Sequence, residues 1–242
     1  MENIKLLIAV PCMDTVPVQF LRSLTALTRR LTLDGVSWTL AIESQTLVYI
    51  ARERLAGRGV NHKFSHILWL DSDMEFPDDL FETLRSTGKD FVTGIACGRR
   101  PPFCPCVFKA LDPPALFQWE EMPEEPFQIA GCGFAGVLIR TDIVRRVMQR
   151  FGNSFNPIPA LGEDLSFCKR AAETGAEIWA APAAQLGHVG RISLRPEDAQ
   201  LWNQIKKQGG ERSWQAAPTS ASRSGSTARR TLKSRAAIAI RP

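Results

Sequence analysis

Residues 66–77 read His-Ile-Leu-Trp-Leu-Asp-Ser-Asp-Met-Glu-Phe-Pro. A short apolar run like this marks a strand buried on both faces. It stops at two aspartates spaced i, i+2. Pro77 then suits the first turn of a new helix, with Asp78 and Asp79 complementing its positive end. This combination narrows the fold, because open α/β sheets bind ligands beyond the C-terminal ends of their strands. Asp71 and Asp73 repel one another unless a cation intervenes, and a divalent cation there keeps coordination sites for phosphate oxygens. Aspartates also make turns and cap helices, which is the plainer reading. An EF-hand loop alternates Asp in the same way, with Glu82 at its twelfth place. It is excluded because Phe76 and Pro77 stand where glycine and a ligating carbonyl are needed, and a strand-like run precedes the loop.

The rest of the chain supplies a frame for that strand. Lys5 to Val10 reads as a first buried strand ending at Pro11-Cys12-Met13-Asp14. From Val18, apolar residues recur at Leu21, Leu24, Leu27 and Leu31, which is helical spacing. Trp38 to Ile42 gives a second strand, and Thr46 to about Ala56 a second helix that Gly57 and Gly59 are expected to end. After the Asp71–Asp73 strand and its helix, Asp90 to Ala96 gives a fourth strand. This alternation predicts an α/β fold: a mixed, mostly parallel central sheet flanked by helices, with functional loops at strand ends.

Residues 99–126 break the rhythm. They hold seven prolines, four glutamates, Phe103, Phe108, Phe117 and Trp119. A loop this long in a compact domain is usually functional or disordered, and the aromatics favour a partly ordered lid or acceptor wall. Gly131, Gly133 and Gly136 then imitate a dinucleotide fingerprint. That fingerprint needs a strand before it and a helix opening inside it, whereas Val137-Leu138-Ile139 is strand-like. The glycines are read instead as letting the backbone approach a ligand closely, with Gly133 and Gly136 the candidates. Thr141 is expected to cap a helix through Val144 and Met148. Glu163-Asp164 opens a further helix that Gly175 ends, Glu177 to Ala180 is a short strand, and Gly187-His188 follows in a glycine-flanked loop.

The 242 residues suffice for one domain with a full core, and 44% hydrophobic content makes it globular. Charge is unevenly distributed. Residues 211–242 carry seven of the 30 Lys and Arg but one of the 25 acidic residues, a net of +6 that leaves −1 for the rest. The expected division is therefore a domain over 1–210 and a basic, disordered tail over 211–242. The tail reads either as an arm for an acidic partner, binding through counterion release, or as a solubilising extension. The six cysteines are scattered; Cys104-Pro105-Cys106 has neither zinc-ribbon nor redox spacing, so buried free thiols are expected. The first 30 residues lack a basic start followed by a long apolar core, and no apolar run reaches the roughly 20 residues that span a bilayer. The expected location is cytoplasmic.

Four features now stand in order: Arg52, the Asp71/Asp73 pair, Glu163-Asp164 at a helix start, and His188. With the runs Leu68-Trp69-Leu70-Asp71-Ser72-Asp73-Met74 and Gly162-Glu163-Asp164-Leu165-Ser166-Phe167-Cys168, then Gly187-His188, the chain resembles the GT-A glycosyltransferases. It is most similar to the family 2-like branch of bacteria and phages, and the resemblance covers roughly Ile4 to Val189.

That resemblance implies a nucleotide-sugar donor, a UDP-sugar above others, and a divalent Mn²⁺ or Mg²⁺. Asp73 would ligate the metal, Asp71 would meet the ribose or the metal through water, and His188 would complete the protein ligands; carboxylates with an imidazole suit Mn²⁺. Asp164 would be the general base, with Glu163 second choice. Their plainer role is to complement a helix dipole. Arg52 would pair with the diphosphate, as guanidinium geometry allows. Pro11 and Asp14 would face the nucleoside, with Ser72 between the two aspartates in the same donor site. Inversion at the sugar is the habit of the branch, though related enzymes with similar motifs retain configuration. The acceptor stays open between modified DNA and a glycan. Two other functions compete. A sugar-nucleotide nucleotidyltransferase would need a glycine-rich basic loop after the first strand, where Pro11-Cys12-Met13-Asp14 stands. A non-catalytic module binding nucleic acid or sugar nucleotides would need no base.

Overall fold

The computed structural model describes residues 4–100, 102–190 and 196; the basic tail predicted over 211–242 lies outside them. The chain runs β1 (Lys5–Pro11), α1 (Val18–Leu33), β2 (Ser37–Glu43), α2 (Val48–Asn61), β3 (His66–Leu70), β4 (Met74–Glu75), α3 (Leu80–Arg85) and β5 (Phe91–Ile95). It continues through β6 (Val107–Leu111), β7 (Pro114–Leu116), β8 (Phe127–Ile129), β9 (Gly131–Cys132), β10 (Gly136–Arg140), α4 (Thr141–Phe151), α5 (Glu163–Glu173), β11 (Ile178–Gln185) and β12 (Gly187–His188). No helix among the described residues is long and apolar enough to cross a membrane.

Seven strands form the central sheet in the order β2-β1-β3-β10-β5-β11-β8. Pairings β1/β2, β1/β3 and β5/β11 are parallel. β10 runs antiparallel between β3 and β5, and β8 runs antiparallel along β11. The sheet is thus mixed and mostly parallel, as the alternating pattern predicts. Side chains alternate across it as strand geometry requires. Leu7, Ala9, Ile67, Trp69, Val137 and Ile139 share one core with residues of α2, α4 and α5. Leu6, Ile8, Val10, Leu68, Leu70 and Leu138 share another with residues of α1 and α3. Burial on both faces explains why these strands read as unbroken apolar runs.

Several local expectations are revised. α1 buries Phe20, Leu24, Leu27 and Leu31, while Leu21 is exposed. α2 runs past Gly57 and Gly59 to Asn61. A Cβ on Gly59 would come 2.4 Å from Ile67 Cδ1, so this glycine lets the helix dock on β3 instead of ending it. A two-residue strand, β4, intervenes before α3, whose first residue is Leu80. Thr141 is the first helical residue of α4, preceded by Arg140 as cap. Residues 99–126 are more ordered than a loop: β6 and β7 form a hairpin, β6 also pairs with β9, and a 3₁₀ turn covers Trp119–Glu121.

His188 does not lie in a free loop. β12 pairs antiparallel with β4, placing His188 opposite Met74. The Val189 N–H donates to the Asp73 carbonyl at 2.8 Å. That pairing carries the histidine across 115 positions of sequence to the aspartate turn.

Close packing at the sheet yields one prediction. A Cβ on Gly94 in β5 would stand 2.6 Å from the Ala184 carbonyl oxygen and 2.4 Å from Leu186 Cδ1. The obstructing carbonyl belongs to the backbone of β11 and cannot rotate away. Gly94→Ala should destabilise the fold by about 1–3 kcal/mol, the usual cost of overpacking. Urea denaturation measures it; a wild-type midpoint would show that β11 yields freely here.

Candidate active site

β1 and β3 end side by side, and the loops after them open a cleft of about 370 Å³. Pro11, Cys12, Met13, Thr46, Val48, Ala51, Arg52, Asp71, Ser72, Asp73, Arg99, Glu163 and Asp164 line it. The sequence-predicted residues Pro11, Arg52, Asp71, Ser72, Asp73, Glu163 and Asp164 are therefore gathered on one cleft. His188 reaches it through contact with Asp73. Asp14 is exposed and does not line it. Gly136 lies in buried β10, where a Cβ would come 2.4 Å from Leu186 Cδ2, so the close approach there is to a core leucine. Gly133 borders the site: a Cβ on it would stand 3.6 Å from Asp164 Oδ2.

Arg52 organises the floor. Its side chain is only 3% exposed. One guanidinium nitrogen, Nη2, donates to Asp71 Oδ1 at 2.8 Å, and Nε stands 3.5 Å from Glu163 Oε1. The guanidinium carbon lies 4.8 Å from the centre of the Phe134 ring, a cation–π arrangement. Phe134 in turn meets Trp69, Phe155 and Phe167 edge to face, with ring centres 5.3–5.7 Å apart. Glu53, next along α2, accepts the backbone N–H groups of Ser154 and Phe155 and so fixes the approach of that ring. Helix α2, the end of strand β3, the first residue of α5 and the aromatic core thus meet at one cation.

The two aspartates of the turn diverge. Asp71 points inward to Arg52. Asp73 points outward, where its Oδ2 receives Arg99 Nη1 at 2.9 Å and faces His188 Nε2 at 3.3 Å. The turn is held by Asp71 N–H to Ala135 O and Met74 N–H to Asp71 O. His188 Nδ1 lies 2.8 Å from the Cys97 carbonyl. A carbonyl only accepts, so Nδ1 carries a proton, and in the neutral ring the Nε2 lone pair faces Asp73.

Electrostatics separate these groups further. Burial pushes the Asp71 carboxyl up to about 6 against the opposing pull of Arg52, with Asp73 adding repulsion. Its oxygens lie deep among protein atoms even though 30% of the side-chain surface opens on the cleft. Asp164 is likewise raised, by burial first and by Glu163, against Arg52. Asp73 moves the other way: burial works to raise it, but the hydrogen bond and charge of His188 and the charge of Arg99 outweigh that and lower it. The hydrogen bond with Asp73 raises His188 in return, against the cost of burial.

Among the described residues, no three His, Cys, Asp or Glu side chains stand close enough together to enclose a metal ion by themselves. Asp73 and His188 do converge. A carboxylate and an imidazole fixed through its second nitrogen form a suitable pair for a divalent ion that takes its other ligands from phosphate and water. The cysteines are free thiols, Cys132 and Cys168 buried and the others half-buried. Arg99 also lines the cleft, though no motif in the sequence singles it out. Its place just after β5, at a C-terminal strand end, is the signal that could have found it.

Arg52→Met should cost about 3–5 kcal/mol of folding stability, because it strands the buried Asp71 carboxyl without a partner. Arg52→Lys should lose less, since it keeps the charge but not the forked geometry. Unfolding curves for the two variants that superimpose on wild type would show that Arg52 does not organise this floor.

No family model matches this sequence, and no curated protein matches it. Solved structures do. The chain superposes on GalNAc-T7 with UDP, GalNAc and Mn²⁺ at a TM-score of 0.52 and 10% identity, covering 84% of this chain and 48% of that one. It thus spans about half of that protein. A197 from STIV gives a TM-score of 0.48 at 16% identity, over 79% of this chain and 100% of the other. A glycosyltransferase involved in the glycosylation of the major capsid of PBCV-1 gives 0.43 at 13% identity, over 83% and 100%. With its mixed seven-stranded sheet and the superposition on GalNAc-T7, the chain has a GT-A-like fold.

Proposed function

We propose that this protein is a metal-dependent glycosyltransferase that moves a sugar from a nucleotide-sugar donor, a UDP-sugar above others, to an acceptor hydroxyl. The observation that carries the reading is that Asp71, Asp73, Glu163 and Asp164 line one cleft with Arg52 and Arg99 at the ends of β1 and β3. Four carboxylates stand there beside two guanidinium groups, an excess of negative charge. They suit a site built to take a cation and a proton.

Asp73 and His188 would hold Mn²⁺ or Mg²⁺. Bound there, the ion would act as a Lewis acid that offsets charge on the departing diphosphate. Asp71, fixed by Arg52, is placed for the ribose or for a metal-bound water. Arg52 also lends its charge to the diphosphate across the cleft wall. Pro11, with Cys12 and Met13, forms the side of the cleft suited to the nucleoside.

Asp164 acts as the general base. Its Oδ1 accepts the Leu165 N–H at 2.7 Å, which orients the carboxylate at the start of α5. Its pKa is raised by burial, which brings its basicity closer to neutral pH, where a base works best. It would take the proton of the acceptor hydroxyl as that oxygen attacks the anomeric carbon. The bond to the diphosphate breaks on the opposite face, which inverts the sugar. Glu163 stays engaged with Arg52. The acceptor is a hydroxyl of a glycan or of modified DNA, and the basic tail fits the second.

A panel of UDP-, GDP- and dTDP-sugars, scored by metal-dependent thermal stabilisation, tests the reading. UDP-sugars should stabilise most, and Asp73→Ala should abolish the effect with the fold intact. No response to any donor would sink it, leaving a binding module of another kind.

Asp164→Asn should keep donor affinity and lower turnover on the order of a hundredfold or more. In wild type the acid limb of turnover against pH should lie above the ordinary aspartate range, because the raised carboxyl must lose its proton to act. A fall in donor binding with turnover intact would make Asp164 a helix cap and shift the role to Glu163.

A further inference from the structure

Two cations line the cleft, and they differ in kind. Arg52 is 3% exposed and already committed to Asp71 and Glu163. Arg99 is 60% exposed and bound at one point, Asp73 Oδ2. His188 Nε2 approaches that same oxygen. A cation held by Asp73 and His188 would stand beside the Arg99 guanidinium at the same oxygen, where the two positive charges compete. An anion nearby would draw the guanidinium away and relieve that competition.

The backbone around Arg99 is set for that movement. The Cys97↔Pro105 bridge and the Gly98 N–H to Cys104 O hydrogen bond at 2.9 Å pin the base of the loop to the end of β5. The adjoining Cys97 carbonyl is the one that orients His188. Arg99 is therefore anchored at its backbone and open along its side chain, at the rim of the cleft beside the pair that would hold the metal.

We infer that Arg99 couples metal binding to donor binding: it is the counterion of Asp73 before the donor enters, and a ligand of the donor's diphosphate afterwards. The inference rests on the reading of the cleft as a nucleotide-sugar site and adds a residue and a binding order to it. Before the donor arrives, Arg99 competes with the metal for Asp73. The diphosphate accepts Arg99 and supplies the metal with phosphate oxygens, so each ligand relieves the other's obstacle. Guanidinium geometry suits a bidentate contact with phosphate.

The test uses the full chain and measures binding without turnover. Free Mn²⁺ is counted by electron paramagnetic resonance, with and without UDP. UDP affinity is measured by calorimetry, with and without Mn²⁺. Arg99→Ala should bind Mn²⁺ alone several-fold more tightly than wild type, and bind UDP in the presence of Mn²⁺ about tenfold more weakly, the loss of one charge-assisted contact. Arg99→Lys should recover part of the UDP affinity. Because Arg99 is exposed, all variants should melt with wild type. Unchanged Mn²⁺ and UDP affinities in Arg99→Ala would overturn the coupling and leave the nucleotide-sugar reading standing. A wild-type protein that binds neither UDP nor GDP with Mn²⁺ would overturn both.

Discussion

A single buried guanidinium holds the cleft together. Arg52 bonds Asp71 at the end of β3, pairs with Glu163 at the start of α5 and rests on Phe134 above the aromatic core. These three partners come from segments far apart in sequence. Burying an arginine is costly unless its charge is met, and a carboxylate pair with a ring face meets it. The same contact therefore ties α2, β3 and α5 into one corner and aims the loop that carries Asp73.

That corner also divides labour between two aspartates of one turn. Asp71 is paired with Arg52 and pushed up to about 6 by burial against that pairing. Asp73 is lowered by His188 and Arg99 and stays an anion. The short β4/β12 pair makes the difference, because it brings His188 to Asp73 and to nothing equivalent at Asp71. A cluster with more carboxylates than cations is strained as a protein but apt for a divalent ion, which is how sites trade stability for binding.

The sheet was legible in the sequence because its strands are buried on both faces and read as apolar runs with clear ends. The strand ending at Asp71 and the helix opening at Glu163 were found within a residue or so. What misled was glycine. Gly59 and Gly136 read as a helix stop and a ligand contact, but each admits a neighbouring side chain, Ile67 and Leu186, whose position only the tertiary structure reveals. The hairpin after β5 was hidden by its prolines. Arg99 was hidden because an exposed arginine in a loop has no periodicity; its significance comes from Asp73, 26 residues away. The place of Phe134 under Arg52 cannot be read from spacing.

On the proposed reading, this corner binds a divalent ion and a nucleoside diphosphate together. Anomalous scattering from crystals grown with Mn²⁺ and UDP tests it most directly. One Mn²⁺ peak is expected in contact with the Asp73 carboxylate and His188 Nε2, with the diphosphate on the same ion and the nucleoside against Pro11. Manganese or nucleotide bound away from Asp73 and His188 would contradict it.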